Sequence, residues 1–597
     1  MKKKLLLLFA LLIGASISFA SENLFPLGEA NYDNWNRGTF DTSTQTVTLN
    51  SQWQSVGWSF SPAKDCSAFI QLILDFEQPT TQEFGLYVKC SGDGDNLGGT
   101  VNVGTTRYII TLDPRRSDAV EAIYFFSWSE DIITVKLTNA YFLSDDDGDD
   151  DIIPYEGKYD IRDNFTTHEL IMEMGLGINL GNTLDATGDW INPSNILNYE
   201  QAWGSPVVTR RMIAGYAKAG YSSLRIPVTW SNMMLDNYQI HPDLMDRVEK
   251  IVNWTIDYGM VAIVNVHHEN EWVMKVPTDN EARKKFTSIW EQVCQRFEKY
   301  GDHLMFEPMN EIGYDNIWTP WSGGQAEKAK AFGYVNELNQ LFVDIVRGSG
   351  GNNAKRHLLV EIYNTGLEYA YDPLTKIPTD PANRLALTVH YYTPALFAIL
   401  GNGEDAGWGI GVPSWGTPEE FKELNDNMDL LKKNCVDKGI PVIVGEYAAS
   451  RNGRTQEVVR LYCVSVTEAI YSRGMCPMLW DVSGYQYNRQ TFEFDDSVFL
   501  EEMMAIPAKY PREPQTGIHQ VSKQDVFLYT DPEKKQLTVV AEFDSPATVS
   551  FVGMTGSTVK VVPLSGKTID ITSLEAGIYI VRVQSETADY TQKIMIQ

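Results

Sequence analysis

Between roughly residues 157 and 510 a short apolar run recurs eight times, each followed by a longer stretch with helical periodicity. The runs are Leu176–Leu180, Ser223–Val228, Met260–Val266, Leu304–Met309, Leu358–Tyr363, Leu385–Val389, Val442–Val444 and Met475–Leu479. Phe286, Ile289, Trp290, Val293 and Phe297 illustrate the intervening pattern, with apolar side chains three and four positions apart. Buried strands alternating with amphipathic helices require a parallel sheet covered by helices, and eight such units point to a closed (β/α)8 barrel.

At 597 residues the chain is too long for one compact domain. Residues 21–144 consist of short runs rich in threonine, valine and aromatics, separated by turn clusters such as Ser91-Gly92-Asp93-Gly94-Asp95, and predict a β-sandwich. Residues 145–156 open with Asp145-Asp146-Asp147-Gly148-Asp149-Asp150-Asp151, whose repelling carboxylates read as a solvated acidic linker. The ligand spacing and flanking helices of a calcium-binding EF-hand are missing there. After the barrel domain at 157–510, residues 511–597 return to strand and turn as a second, smaller β-sandwich. The expected class is multidomain, a central (β/α)8 barrel between two β-sandwiches.

Residues 1–20 set the compartment. Lys2, Lys3 and Lys4 precede the apolar run Leu5–Ile13, and Ser18-Phe19-Ala20 has the small residues of a cleavage site, so the chain reads as exported by a signal peptide. Ser21 stands where a lipoprotein needs cysteine, so a lipid anchor is not expected. No later apolar stretch is long enough for a transmembrane segment. A net charge of −29 argues against nucleic acid or an anionic membrane and favours a neutral or soluble partner. Six cysteines in so long a chain do not make a disulfide scaffold. Cys66 and Cys90 share the N-terminal region and can pair after export, whereas Cys294, Cys435, Cys463 and Cys476 read as buried thiols.

A barrel of this kind carries its active site at the C-terminal ends of its strands. Those ends supply Arg225, then His267 and His268, then Asn310 and Glu311, then His390 and Tyr392, then Glu446 and finally Trp480. Two carboxyl groups open a β-glycoside, one protonating the leaving oxygen and one attacking the anomeric carbon. Glu311 and Glu446 can share that work if closure brings the fourth and seventh strands face to face. Glu307 has the parity of Glu311 and is expected to be a buried partner for Arg225. No metal or other cofactor is expected: adjacent strand residues such as His267 and His268 should diverge, and no His-Glu-x-x-His motif follows. Gly175-x-Gly177-x-x-x-Gly181 is one residue too long for a dinucleotide loop and lies within the first strand.

These stretches together resemble glycoside hydrolase family 5, in particular its subfamily 4 of endoglucanases and xyloglucanases. The resemblance rests on Gly181-Asn182-Thr183-Leu184-Asp185-Ala186, Glu200-x-Ala202-Trp203-Gly204 and Leu224-Arg225-Ile226-Pro227-Val228-Thr229-Trp230. It continues through Asn265-Val266-His267-His268, Phe306-Glu307-x-x-Asn310-Glu311, His390-Tyr391-Tyr392, Gly445-Glu446-Tyr447 and Trp480-Asp481. It implies a retaining endo-β-1,4-glucanase acting on plant cell-wall β-glucans (cellulose-type, mixed-linkage glucan or xyloglucan) by double displacement. Glu311 would be the acid/base and Glu446 the nucleophile. Arg225 would keep Glu446 ionised, Asn310 would bind the sugar 2-hydroxyl, and His390 and Tyr392 would orient the nucleophile. His267, His268 and Trp480 would surround the sugar before the scissile bond, with Asn182 in support. Ile312 departs from the pattern, because many members have proline after Asn-Glu.

The N-terminal sandwich resembles a carbohydrate-binding module in general character, with Trp35, Trp53, Trp58 and Trp128 as aromatic candidates. The tail, with Leu574, Gly577 and Ile578–Val583, resembles the C-terminal sorting domain of the type IX secretion pathway, which implies a secreted or cell-surface protein that meets that machinery. A monomer is expected. Two alternatives stay open: a mannanase or xylanase on the same scaffold, and a non-catalytic glycan-binding protein.

Overall fold

The computed structural model describes residues 22–32, 36–92, 96–112, 116–146, 155–314 and 324–512, and, in the tail, 527–531, 535–540, 547–553, 558–564, 566, 568–574, 577–585 and 589–596. The expected signal peptide and Trp35 lie outside the described residues. The chain forms two compact units, residues 1–513 and 514–597.

The first unit holds a sandwich and the barrel. One sheet of the sandwich orders Thr39–Asp41, Thr46–Leu49, Ile133–Leu143, Gln71–Phe76 and Arg107–Thr111, and Glu22–Asn23 also pairs with Ile133–Leu143. The other orders Ser55–Lys64, Val120–Phe126, Phe84–Cys90 and Leu97–Val101, and all pairings are antiparallel. Alternation along the strands turns Val47, Leu72, Phe84, Phe125 and Phe142 inward to a common core. Cys66 and Cys90 are buried in the same core.

The barrel strands are β1 (Gly177–Asn179), β2 (Ser223–Ile226), β3 (Val261–Asn265), β4 (Leu304–Glu307), β5 (Leu358–Gly366), β6 (Leu385–His390), β7 (Val442–Tyr447) and β8 (Cys476–Leu479), and they close in that order. All are parallel, so each strand is buried on both faces and reads as an apolar run. Inside, Ile263, Met305, Leu359, Ala386, Ile443 and Met478 form an apolar layer that the short helix Thr167–Glu173 closes from below. Two residues further along β3, β4, β5 and β6 the inward positions turn polar, as Asn265, Glu307, Glu361 and Thr388, which places polar chemistry towards the C-terminal mouth. The register slips near the ends of β5, β6 and β7, where irregular pairing re-aims the terminal side chains.

Two expectations change. Between β5 and β6 there is no α-helix, only the 3-10 turn Leu367–Tyr369, so the fifth strand-and-helix unit is incomplete. Pro373, Pro378 and Pro381 in that segment explain this, since each lacks the N–H a helix interior needs. The expected linker is also anchored at its start. Asp145 pairs with Arg247 at 3.0 Å and Lys250 at 2.7 Å, and Asp146 accepts from the Trp254 indole at 2.7 Å. Asp147–Pro154 lie outside the described residues.

In the second unit one sheet holds Phe527–Asp531, Gln536–Val540 and Thr568–Asp570, and another holds Thr558–Pro563, Thr548–Gly553, Gly577–Gln584 and Asp589–Ile596. Leu537, Val549, Phe551, Val581 and Val583 form its core. Among the described residues no helix is long and apolar enough to cross a membrane.

Candidate active site

Arg225, fully buried on β2, is the hub of the barrel mouth. Its Nε donates to Glu307 Oε2 at 2.7 Å, and its Nη1 to Asn179 Oδ1 at 3.1 Å and Glu446 Oε1 at 2.8 Å. Its Nη2 donates to Asn310 Oδ1 at 2.7 Å. A planar fork with five N–H groups can serve four acceptors at once, and a buried guanidinium needs such partners to stay charged. Because Asn310 turns its oxygen to Arg225, its amide hydrogens remain available for an acceptor. The expected pairing of Glu307 with Arg225 is present.

Glu446 on β7 takes a second hydrogen bond, from the Tyr392 hydroxyl to Oε2 at 3.0 Å. Glu311 sits just beyond β4 with φ +52°, a left-handed conformation that a glutamate adopts only when its surroundings impose it. Its carbonyl accepts from Asn270 at 3.3 Å and its Oε1 pairs with His390 Nδ1 at 2.8 Å. One ligand-type atom from each of Glu311, His390 and Glu446 lies within 4.8 Å of the others, so the two carboxyl groups face each other across the mouth. Glu311's side chain is 40% exposed and Glu446's 7%, which leaves the first open to a ligand and the second beneath it.

The charges in this group are coupled. Burial and the facing Glu311 carboxylate push Glu446 up, against the pull of His390 and Arg225. Burial also acts on Glu311, but the His390 hydrogen bond and the charges of His390 and Arg225 hold it below the usual range. His390 is raised, since Glu446 and Glu311 outweigh its burial. With Glu311 held low and His390 raised, a proton is shared in the His390–Glu311 hydrogen bond, facing Glu446.

His267 and His268 do not diverge as expected. His268 has φ +52°, which breaks the strand alternation, and the two rings stand 4.4 Å apart at 87°. Buried His267 is kept neutral, with its Nδ1 taking the Asn265 amide at 3.1 Å, while His268 approaches Asp185 at 3.6 Å. Asp185, His267 and His268 bring three ligand-type atoms within 4.8 Å of one another, as do Glu311, His390 and Glu446. Their lone pairs are largely engaged: Asp185 accepts the N–H groups of Asn182 and Thr183 at 3.1 and 2.6 Å. Trp480 stacks on His267 at 5.8 Å and 10°, and a side chain at Gly181 would meet its ring at 2.7 Å. Asn182 lies in the turn after β1 at φ +53° and is engaged through its backbone.

Residues 184–486 match the cellulase model of glycosyl hydrolase family 5. The chain is 37% identical over 332 residues to endoglucanase A of Ruminococcus albus, covering 55% of this chain and 86% of that protein. The chain belongs to glycoside hydrolase family 5. Among solved structures it is similar to a subfamily 4 broad-specificity endoglucanase from an uncultured bovine rumen ciliate, with 33% identity and a TM-score of 0.53 over 58% of this chain and 99% of that one. A family 5 lichenase from Caldicellulosiruptor sp. F32 gives 32% identity and a TM-score of 0.51 over 60% and 97%. Residues 528–597 match a secretion-system C-terminal sorting domain, so this glycoside hydrolase is an exported or cell-surface enzyme.

The hydrolase site contains residues that the ends of the apolar runs do not mark. Asn179 and Asn265 are the last residues of β1 and β3 but fall inside the runs Leu176–Leu180 and Met260–Val266, and parity with His267 points to Asn265. Arg489 ties the β1 and β8 loops together by donating to Gly181 and Asp481 carbonyls at 2.9 and 2.8 Å. It follows no barrel strand directly, only the short strand Tyr487–Asn488, so nothing in the barrel pattern marks it.

Proposed function

We propose that this family 5 enzyme is a retaining endo-β-1,4-glucanase acting on plant cell-wall β-glucans. The observation that carries the reading is the pair Glu311 and Glu446, whose carboxyl oxygens lie within 4.8 Å of each other across the barrel mouth. Retaining enzymes hold their carboxyl groups about 5–5.5 Å apart, while inverting ones leave about 6.5–9.5 Å for a water.

Glu446 attacks the anomeric carbon while Glu311 delivers its proton to the glycosidic oxygen, which leaves as an alcohol. Glu311 then takes a proton from water, and the resulting hydroxide displaces Glu446 and restores both groups. Arg225 keeps the nucleophile charged, and Tyr392 fixes its second oxygen. Asn310 offers its amide to the sugar 2-hydroxyl, and His267, His268 and Trp480 flank the sugar on the nucleophile side. The endoglucanase and lichenase relatives support a β-glucan over mannan or xylan. The test combines a polysaccharide panel with proton NMR of the first product. Mixed-linkage glucan, soluble cellulose or xyloglucan should be cleaved fastest, with the β-anomer appearing first. Faster cleavage of mannan or xylan would overturn the specificity, and an α-anomer first would overturn retention.

The N-terminal sandwich supports a second, glycan-binding reading. Trp53 and Trp128 are 49% and 36% exposed and flank Phe126 at 6.1 and 5.7 Å, offering aromatic faces to the C–H faces of sugar rings. Trp58 takes no part, since it packs edge-on against Phe40 and donates its indole N–H to Gly28. Affinity electrophoresis in glucan gels should show retardation that W53A with W128A removes; equal mobility of both proteins would overturn the reading. The match of the tail to a secretion-system C-terminal sorting domain supports type IX export, and its deletion should block release from a host with that pathway.

A further inference from the structure

Ile312, directly after the acid/base Glu311, is tied to β5 through both of its backbone groups. Its N–H donates to Glu361 Oε1, and its carbonyl accepts from Asn364 N–H at 2.8 Å. Glu361 is itself clamped: its N–H donates to Asn339 at 3.1 Å and its carbonyl accepts from the Asn339 amide at 2.7 Å, on the helix Gln325–Gly348. It is 2% exposed and has the inward parity of Leu359, one layer below the substrate mouth. A proline at 312 would have no N–H to give, so this link depends on the isoleucine in that place.

We infer that Glu361 is a positioning residue that holds the Asn310–Glu311–Ile312 corner and so aims the acid/base at the glycosidic oxygen. The charge balance supports the neutral form of its carboxyl group. Glu307, Glu311, Arg225 and Tyr314 are the titratable groups that act on it or feel it, and Arg225 is already engaged by Glu307 and Glu446. Burial then pushes Glu361 well above the usual carboxylate range. Its Oε1 takes the Ile312 N–H, and the proton belongs on Oε2, which has no hydrogen-bond partner among the described residues. The left-handed backbone at Glu311 gives the tie its purpose. Such a conformation persists only where neighbouring contacts over-determine it, and the Ile312 N–H bond to Glu361 is the side-chain contact on its C-terminal side, beside the backbone bond from Asn364.

The inference rests on Glu311 being the acid/base, so the test carries E311A as its reference. Rates are measured on a β-glucan, whose leaving group needs protonation, and on a dinitrophenyl β-cellobioside, whose leaving group does not. Glu361→Met keeps the volume and removes the acceptor. It should lower kcat/KM on the glucan about 10- to 100-fold, as a misplaced catalytic group does, and change kcat/KM for the aryl glycoside, which reports glycosylation alone, about threefold or less. Glu361→Gln keeps an acceptor for Ile312 and should stay within about threefold of wild type on both substrates. Equal losses on the two substrates in Glu361→Met, no loss at all, or failure of Glu361→Gln to rescue would each overturn the inference. If Glu361→Met melts below the assay temperature, Glu361→Gln decides: it must preserve the wild-type ratio of the two rates. Should E311A itself show no dependence on the leaving group, the acid/base assignment has failed, and that result is distinct from any outcome at Glu361.

Discussion

Tyr392 donates its hydroxyl hydrogen to Glu446 Oε2 at 3.0 Å, on the oxygen opposite the one that Arg225 holds. Both carboxylate oxygens are thereby fixed, and the charged form of Glu446 gains two donors. Tyr392→Phe removes one of them. A hydrogen bond to a charged group contributes about 1.5–3 kcal/mol, so kcat/KM should fall by about tenfold or more. The sign of the pH effect follows: a carboxylate that loses a donor binds protons more tightly, so the acidic limb of the rate profile should move to higher pH. A limb that stays in place would mean that the Tyr392 hydroxyl does not stabilise the charged form of Glu446.

Arg225→Lys tests the hub. An ammonium can reach one or two of the four acceptors that the guanidinium serves, and the others would remain buried without partners. Breaking a buried ion pair costs about 3–5 kcal/mol, so denaturant unfolding should reveal a loss of that order together with near-complete loss of turnover. Normal stability with lost activity would confine Arg225 to catalysis.

Much of this was legible in the chain, for a physical reason. A parallel barrel buries both faces of each strand, so its strands stand out as apolar runs, and a polar residue ending such a run must face the mouth. Glu311, His390 and Glu446 stand out that way, and Arg225 as the one charged residue within Ser223–Val228. His268 was misjudged because strand alternation assumes extended backbone, and its φ of +52° swings the ring back towards His267. Glu361 carries no such signal, because one glutamate inside Leu358–Tyr363 looks like an interruption of the run, and its partner is a backbone N–H that no sequence pattern displays. Asp145 and Asp146 were read as solvated because their partners, Arg247, Lys250 and Trp254, lie about a hundred residues away.

Acid stability should depend on Asp302, below the barrel. Burial alone would raise its carboxyl, but neighbouring His357, the Arg162 side chain and the Arg162 N–H hold it at about 2, against 3.8 for a free group. Its side chain is 2% exposed, so solvent screening is slight. A depressed carboxyl contributes stability that is present above pH 3.8 and lost as pH falls through about 2. The contribution amounts to about 2 kcal/mol. Asp302→Asn should therefore be less stable than wild type at pH 6, and the gap should narrow towards pH 2. A gap that is constant with pH would assign the loss to packing.

The two glutamates can be told apart by the stereochemistry of rescue. Glu446→Ala lacks the attacking group and should turn over no natural substrate. Azide can then enter the vacated space and displace an activated leaving group from that face, giving the α-glycosyl azide. Glu311→Ala keeps the nucleophile, so an aryl glycoside with a good leaving group should still form the glycosyl-enzyme. That intermediate waits for water, since the base that would activate it is gone. Azide needs no general base, so it should release the intermediate from the opposite face as the β-glycosyl azide. The position of the two side chains favours this assignment: Glu446 is held beneath the mouth by Arg225 and Tyr392, while Glu311 is open to solvent and bonded to His390. Product NMR of the two variants reads the answer directly, and the opposite pair of anomers would mean the roles are exchanged.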